Sequence, residues 1–268
     1  MADRPGGGPP GFAARLGGRT ALVTGAGSGL GRAIAVELCR WDVRTVLAGR
    51  DRSRLEETAA LAASVGGAGR VATVDVADPA SVGELSAALG DETVSILVNN
   101  AGIPGPVAPL TEVEPGDWDE VFAVNVRGVY LMCRAFVPPM VARGSGDVVN
   151  LASVSGKRPL AGRTPYCASK LAVIGLTTTL AAEVGPAGVR VNSLSPGPVR
   201  GPRMERNFRL EAERTGSSPE AAEAAFASRA LLNRLVEEEE VATAVIAMLQ
   251  MPGLHAADVD LSAGMVAR

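Results

Sequence analysis

The sequence predicts an α/β domain in which helices cover both faces of a parallel sheet. Short apolar, β-branched runs alternate with longer segments of helical spacing along almost the whole chain. The strand-like runs are apolar on both faces, which is typical of parallel strands buried between two layers of helices. The alternation never breaks and no internal repeat interrupts it, so we expect one domain in a chain of 268 residues.

The strands are predicted from their β-branched and apolar residues and from the glycines, prolines and polar turns that bound them. The first, RTALVT, leads directly into a glycine-rich segment, and the last is ADVDLSAG. In chain order the predicted strands are 19–24, 43–50, 70–76, 94–102, 146–154, 189–197 and 257–264.

The segments between these strands have apolar residues at helical spacing or are rich in Ala, Leu and Glu, which favours helix. The acidic run from Glu237 to Glu240 marks the start of the last helix, because carboxylates are stabilised by the positive end of the helix dipole. In chain order the predicted helices are 32–41, 51–65, 79–89, 117–143, 164–184 and 236–250.

Two segments depart from this alternation. Residues 1–17 are dominated by Gly and Pro, so we predict a flexible N-terminal lead-in before a domain that spans 18–268. Residues 200–232 are rich in Arg, Glu and Ala, and we interpret them as a helical insertion on the substrate side rather than a second domain.

Composition excludes several classes of protein. The net charge is −3 and aromatic residues make up 3 %, so neither phosphate binding over the whole surface nor base stacking is expected. With three dispersed cysteines and a single histidine, we expect no metal site. No uninterrupted run of about 18 apolar residues occurs, so we expect no membrane span and a cytoplasmic location with reduced thiols.

A glycine-rich turn joins the first strand to the first helix. Gly25, Gly29 and Gly31 allow close approach of the backbone to a pyrophosphate, and Ser28 and Leu30 lie between them at the helix N-terminus. Many glycine-rich turns are only tight turns, but the strand before and the helix after strengthen the prediction of a dinucleotide site.

The second and third strands carry the expected adenosine contacts. Arg50 stands where an acidic residue would bind a ribose hydroxyl, and its guanidinium suits a 2′-phosphate, so we expect NADP(H) in preference to NAD(H). The alternative is a solvated surface arginine beside Arg52 and Arg54. Asp75, with Val76, is placed to meet the adenine, although a simple turn aspartate fits nearly as well.

The candidate catalytic pair lies on one predicted helix. Tyr166 and Lys170 are four residues apart and therefore face the same way. An ammonium close to a phenol stabilises the phenolate, which favours proton transfer near neutral pH. Ser153, at the end of a strand, is a candidate to hold a substrate oxygen. Asn125, a polar residue inside a helix, either fixes a water against Lys170 or is a buried structural amide.

These motifs occur together in an order that resembles the short-chain dehydrogenase/reductase family. The set comprises T-G-x-x-x-G-x-G (24–31), N-N-A-G (99–102), Asn125, Ser153, Y-x-x-x-K (166–170) and P-G (196–197), within about residues 17–268. The resemblance implies a Rossmann-like, doubly wound fold with a seven-stranded parallel sheet.

The resemblance also implies roles for individual residues. Tyr166 would be the acid/base, Lys170 would also hold the nicotinamide ribose, and Ser153 would position the carbonyl or carbinol, with Asn125 completing a tetrad. Asn99, Ala101 and Gly102 would line the adenosine side, and Pro196, Gly197 and Val199 would meet the nicotinamide end, Val199 through its backbone.

Two departures from the family pattern matter. Gly201 stands where relatives often have a cofactor-binding threonine, and the tail LSAGMV lacks a common Gly-Gly pair. The resemblance still implies an oligomer, either a homotetramer or a homodimer.

The substrate is expected to be a small carbonyl or alcohol compound bound by 103–112, 154–165 and 200–232. Acyl-carrier, polyketide and sugar or polyol substrates all stay open, as do a non-catalytic relative and an epimerase. Six arginines in these segments would suit an anionic substrate or a carrier-protein phosphate: Arg158, Arg163, Arg200, Arg203, Arg206 and Arg209. The alternative is a solvated helix face paired with Glu205, Glu211 and Glu213.

Overall fold

The computed structural model describes residues 16–90 and 92–266, with the side chains of residues 203, 210 and 214 excepted. Seven parallel strands form one sheet in the order β3-β2-β1-β4-β5-β6-β7. The strands are β1 Thr20–Thr24, β2 Arg44–Gly49, β3 Gly69–Thr73, β4 Val94–Asn99, β5 Gly146–Leu151, β6 Val189–Pro196 and β7 Asp258–Leu261. The predicted fold, a doubly wound parallel sheet in a single domain, is confirmed.

The helices connect these strands and cover both faces of the sheet. They are α1 Gly29–Arg40, α2 Arg52–Ser64, α3 Pro79–Ala88, α4 Pro115–Phe122, α5 Gly128–Arg143, α6 Thr164–Val184, α7 Pro202–Thr215, α8 Pro219–Ala227 and α9 Glu238–Gln250. Asp51 and Asp78 cap α2 and α3 by accepting from backbone N–H groups. Prolines are the first residue of α3, α4, α7 and α8 and the second of α6, where a missing N–H costs nothing.

Two apolar layers enclose the sheet. Helices α1, α2 and α9 bury Ile34, Leu55 and Val245 on one face, and α5 and α6 bury Phe136 and Val173 on the other. Neighbouring residues of β4 take opposite sides, Ile96 with the first layer and Leu97 with the second. This explains why the strands are apolar without alternation.

The strand order reverses between β1 and β4, which lie side by side. In a doubly wound sheet the connections leave this point in opposite directions, which opens a crevice at the carboxyl ends of the strands. The segments that follow β1 and β4 are the glycine turn and the N-N-A-G motif, so the fold itself brings the two motifs together.

Several predicted boundaries differ from the observed ones. β3 ends at Thr73 and β5 at Leu151, because the chain turns as soon as it leaves the sheet, so Asp75 and Ser153 lie two residues beyond their strands. The helix predicted at 117–143 begins at Pro115 and contains a π-helical turn at Ala123–Arg127. Leu16, which the prediction placed in the lead-in, is fully buried, and the rest of that lead-in up to residue 15 lies outside the described residues.

Two helical stretches are long and apolar enough to cross a membrane by length and composition alone. They are Pro115–Arg143 and Thr164–Ala187, each with a mean hydropathy of 1.3. No such stretch was predicted from the sequence. Both stretches pack against the sheet through residues such as Met132 and Val173. Core helices pass the same test, so the two stretches are weak evidence for a membrane protein.

Candidate active site

A cavity of about 1460 Å³ opens at the carboxyl ends of the strands. Its walls include the glycine turn, the ends of five strands, the start of α6, and helices α7 and α8 from the predicted insertion 200–232. A volume of this size can hold a dinucleotide and a second molecule beside it.

The glycine turn forms one wall of the cavity. Gly25 and Gly29 adopt positive φ angles of 67° and 52°, which glycine tolerates without strain. A side chain at Gly25 would meet Asn100 Nδ2 at 2.9 Å, so glycine is needed here for the turn to pack against the N-N-A-G segment. Ser28 is the N-cap of α1, but its side chain makes no capping bond and borders the cavity with Leu30.

Gly31 lies behind this wall rather than in it. A Cβ at Gly31 would overlap the carbonyl oxygen of Gly25 and the side-chain amide of Asn100. The lack of a side chain at Gly31 lets α1 pack against the turn, and the cofactor-binding role expected of Gly31 stays a prediction.

Thr24 and Asn100 hold the turn against β4, a role that the sequence analysis missed. Thr24 Oγ1 accepts hydrogen bonds from the backbone N–H groups of Asn100 and Ala101, both at 3.0 Å, and Asn100 Nδ2 donates to the carbonyl of Thr24 at 2.9 Å. The residues lie 76 positions apart, and the only sequence signal was the doubled asparagine.

Asn99 does not reach the cavity, in contrast to the prediction. Its Nδ2 donates to Asn150 Oδ1 at 2.8 Å within the buried layer between β4 and α5, because a residue in a strand points to the face opposite its neighbours. Ala101 and Gly102, beyond the strand end, do line the cavity.

The predicted adenosine contacts lie at one end of the cavity. Arg50 and Asp75 both line it, with Val76 and Arg54 beside them. Asp75 Oδ1 accepts from the N–H of Ala77 at 2.9 Å, so this carboxylate also has the turn role that was the alternative interpretation. Arg50 is exposed, and no protein carboxylate is paired with it among the described residues.

Tyr166, Lys170 and Ser153 meet at the opposite end. Lys170 is 6 % exposed, its Nζ lies 5.9 Å from the centre of the Tyr166 ring, and it donates to the carbonyl of Leu151 at 2.7 Å. Ser153 is 8 % exposed and its Oγ accepts from the N–H of Ser155 at 3.1 Å. All three border the cavity, so one wall presents a phenol, an ammonium and a hydroxyl.

Asn125 lies one layer behind this wall, in the π-helical turn. Its amide spans the backbone of Ile103, accepting from the N–H at 2.8 Å and donating to the carbonyl at 2.9 Å, and it also donates to Ser169 Oγ at 3.0 Å. These contacts match the alternative of a satisfied structural amide. A Cβ at Gly102 would lie 3.1 Å from Asn125 Oδ1 and 3.5 Å from Lys170 Nζ, so the amide and the ammonium are near neighbours.

The segment after β6 completes the wall between the two ends. Pro196, Gly197 and Val199 line the cavity, and their contact with the nicotinamide end stays a prediction. Val199 pairs with Val236 in a short parallel bridge, and the N–H of Arg200 donates to the carbonyl of Val236 at 2.8 Å. This bridge brings the start of α9 to the rim of the cavity.

The three cysteines are free thiols, and Cys39 and Cys133 are buried. Burial raises the pKa of Cys133 to about 12 and also raises the pKa of Cys39. Residues 16–90 and 92–266 contain no group of three His, Cys, Asp or Glu side chains placed to hold a metal.

The arginines predicted near the substrate take different positions. Arg158 and Arg163 line the cavity, and Arg163 donates to the carbonyl of Gly105 at 3.3 Å. Arg200 pairs with Glu223 and Glu237 rather than with the glutamates expected from the sequence. Arg206 and Arg209 are exposed, and the side chain of residue 203 lies outside the described set.

Comparison with known proteins agrees with this architecture. The family described as short chain dehydrogenase matches residues 19–213. D-threitol dehydrogenase from Mycolicibacterium smegmatis is 42 % identical over 187 residues, which are 69 % of this chain and 72 % of that protein.

Two solved structures superpose on nearly the whole chain. A phenylalanine-to-tryptophan variant of actinorhodin polyketide ketoreductase with NADPH has a TM-score of 0.87 and 32 % identity, and covers 92 % of this chain and 97 % of its own. NAD⁺-bound xylitol dehydrogenase has a TM-score of 0.85 and 28 % identity, and covers 92 % and 98 %.

The chain belongs to the short chain dehydrogenase family. It is an oxidoreductase that acts on alcohol or ketone groups of small molecules and binds a nicotinamide dinucleotide. The glycine turn fits such a cofactor, because Gly25 and Gly29 line the cavity with backbone alone and leave it accessible to a diphosphate.

Proposed function

We propose that this protein is an NADP(H)-dependent oxidoreductase that interconverts a ketone and a secondary alcohol, with Tyr166 as the acid/base. The observation that carries the proposal is that Tyr166, Lys170 and Ser153 share one cavity with the glycine turn. A hydride carrier bound along the turn would supply the hydride, and the wall opposite would supply the proton.

The proposed proton chemistry follows from the side chains present. Ser153 donates a hydrogen bond to the substrate oxygen and fixes its position. Tyr166 then gives its phenolic proton to that oxygen in reduction, or takes the carbinol proton in oxidation. Lys170 is held by the carbonyl of Leu151, so its positive charge stays beside the phenol and stabilises the phenolate.

Asn125 does not line the cavity, so its proposed role is to position neighbouring segments rather than to contact the substrate. Its amide ties the backbone at Ile103 to α6 through Ser169. This fixes the segment after β4 against the helix that carries Tyr166. The sequence hypothesis of a water bound between Asn125 and Lys170 stays a proposal, since Asn125 Oδ1 has a second lone pair.

The preference for NADP(H) is supported by Arg50. Its guanidinium borders the adenosine end of the cavity and lacks a protein carboxylate among the described residues. It is therefore available for a 2′-phosphate. The solved relatives include one structure with NADPH and one with NAD⁺, so the preference depends on this residue and not on the family.

The apolar lining of the cavity favours a bulky ketone of the 3-oxoacyl or polyketide type as the substrate, rather than a sugar or polyol. Beyond Tyr166 the walls are largely apolar, whereas a polyol needs hydrogen-bond partners for each hydroxyl. The apolar residues come from three loops and from α7 and α8: Pro104, Val107, Val154, Leu160, Met204, Phe208, Phe226 and Met265. Arg158, Arg163 and Arg229 lie among them and suit a substrate with an acidic group.

The proposal includes a homotetramer or homodimer in the cytoplasm, without nucleic acid or membrane partners. Tyr130 and Val141 on α5 and Leu171 on α6 are exposed although apolar, which favours contact with a second copy of the chain.

A substrate panel tests the function directly. Purified protein is mixed with NADPH or NADH and with matched sets of 3-oxoacyl thioesters, cyclic diketones and ketoses, and loss of the reduced nicotinamide absorbance is followed. We expect turnover with NADPH and bulky ketones. Tight cofactor binding without turnover on any carbonyl would favour a non-catalytic relative, and product with inverted configuration and no net cofactor oxidation would favour an epimerase.

A further inference from the structure

The carboxylate of Glu238 lies in the wall of the cofactor cavity. Glu238 is the first residue of α9, and the Val199–Val236 bridge holds that end of the helix beside the segment after Gly197. An ideal Cβ on Gly201 would lie 2.9 Å from Glu238 Oε1, and one on Gly29 would lie 3.6 Å from the same oxygen. One carboxylate oxygen therefore faces both the glycine turn and the opposite loop.

Gly201 makes room for this carboxylate. The sequence resemblance places a cofactor-binding threonine at this position in many relatives, and a side chain there would meet Glu238 Oε1. The hydroxyl expected from residue 201 is thus absent, and a carboxyl group from α9 occupies the neighbouring space.

The charges around Glu238 are mostly negative. Glu237 and Glu239 adjoin it on α9, and Arg32 faces it from α1. Arg200, on the loop before α7, is already paired with Glu237. Arg32 is likewise engaged, since it donates to the carbonyl of Gly27 at 2.6 Å and pairs with Glu57. Among the described residues none makes a hydrogen bond with the Glu238 carboxylate.

This environment disfavours the ionised carboxylate even before a ligand binds. Partial burial raises the pKa of Glu238, the charges of Glu239 and Glu237 raise it further, and Arg32 opposes them. A diphosphate placed on the glycine turn would add more negative charge on the same side.

We propose that dinucleotide binding is coupled to protonation of Glu238, so that this residue sets how cofactor affinity depends on pH. The inference rests on the proposed function, because it assumes a diphosphate at the glycine turn. An ionised carboxylate repels that diphosphate, whereas a protonated carboxyl group donates a hydrogen bond to it. Binding then takes up a proton, and affinity falls as the pH rises through the range in which Glu238 ionises.

The test compares wild type with Glu238→Gln, which keeps the shape of the side chain and removes its charge. NADPH is titrated at several pH values from about 5, near the ordinary carboxyl pKa of 4.5, up to about 8, with nicotinamide fluorescence as the signal. Proton uptake is measured in parallel by calorimetry in two buffers of different ionisation enthalpy. Glu239→Gln is the comparison variant, since it removes an exposed neighbouring charge that raises the pKa of Glu238 but leaves the Glu238 carboxyl group in place.

We expect wild-type affinity to fall by up to about tenfold for each pH unit, with uptake of a proton on binding. Glu238→Gln should bind more tightly than wild type at the higher pH and lose most of the proton uptake. Glu239→Gln should keep the proton uptake, with its pH dependence moved to lower pH, because the Glu238 carboxyl group is still present. Ionisation of NADPH itself is common to all three proteins and cancels in the comparison.

Different results would contradict the proton coupling at Glu238 and the proposed function. If wild type binds NADPH and the Glu238→Gln variant keeps the same pH dependence and proton uptake, the coupling is wrong and the proposed function stands. If wild type binds neither NADPH nor NADH at any pH, the proposed function is overturned as well.

Discussion

Lys170 Nζ lies 5.9 Å from the centre of the Tyr166 ring and donates a hydrogen bond to the carbonyl of Leu151. The two residues are one helical turn apart on α6, and the hydrogen bond ties that turn to the end of β5. The ammonium thus has one fixed place beside the phenol, on the wall of the cofactor cavity.

Tyr166→Phe removes the proposed acid/base and leaves the ring in place. We expect turnover to fall about 10²- to 10⁴-fold while NADPH affinity changes little, as is typical of losing a general acid. Steady-state rates and fluorescence titration measure the two quantities. Tyr130→Phe, on the exposed side of α5, is the matched control and should keep full activity. Near-normal rates in Tyr166→Phe would contradict the assigned role.

Arg50→Asp reverses the charge at the adenosine end of the cavity. We expect NADPH affinity to fall about 10- to 100-fold, the worth of a charge-assisted hydrogen bond, and NADH to become the preferred cofactor. Arg52→Asp is the control, because Arg52 is exposed and pairs with Glu56. An unchanged ratio of the two dissociation constants in Arg50→Asp would remove the argument for NADP(H).

Gly31→Ala tests the packing of α1 against the glycine turn. The added methyl would overlap the carbonyl of Gly25, so we expect a loss of about 1–3 kcal/mol in the free energy of unfolding together with weaker cofactor binding. Gly83→Ala on α3 adds the same methyl in a helix where nothing lies within 4 Å. It should stabilise the protein by up to about 1 kcal/mol. Equal effects from the two substitutions in chemical unfolding would show that the turn is not tightly packed.

Asn125→Ala removes the amide that spans the backbone of Ile103. Two part-buried backbone groups then lose their partner, and we expect a loss of about 1 kcal/mol for each of them, the typical net worth of a hydrogen bond. Ser169→Ala removes only one of the contacts of Asn125 and should cost less. Urea unfolding gives both values, and a smaller loss in Asn125→Ala than in Ser169→Ala would contradict the positioning role.

Glu240→Ala tests the capping box that starts α9. The Arg234 guanidinium and the N–H of Glu237 hold the pKa of Glu240 at about 2, below its ordinary 4.5. Because this pKa is lowered by folding, the stabilisation is fully present above about 4.5 and is lost as the pH falls toward about 2. We expect the variant to be about 1 kcal/mol less stable at neutral pH, and this difference should shrink through that acidic window. Glu239→Ala, an exposed neighbour, should show little difference at any pH.

The sequence contained enough local information to predict the fold class and most of the cavity wall. The strand runs, the glycines between β1 and α1, and the four-residue spacing of Tyr166 and Lys170 are short-range features, and their geometry follows from helix and strand periods. Ends of elements were less well predicted: β3 ends before Asp75 because the turn at Ala77 is closed by the Asp75 side chain itself.

Some placements depended on contacts between distant parts of the chain. Asn99 matched the family motif, yet the pleat of β4 turns its side chain to Asn150 and away from the cavity. Gly31 matched the motif too, but it does not line the cavity, and its missing side chain lets α1 approach the carbonyl of Gly25. A motif shows which residues occur together and does not show which face of a strand each one takes.

The sequence by itself determined the alternation of strands and helices, the phosphate turn and the pair Tyr166 and Lys170, because each depends on residues within a few positions of one another. Only the tertiary structure decided that Thr24 clamps Asn100, that Asn125 supports Ile103, and that Glu238 faces Gly29 across the cavity. Those relationships arise where strand ends and helix starts meet in space, over separations that no local pattern encodes.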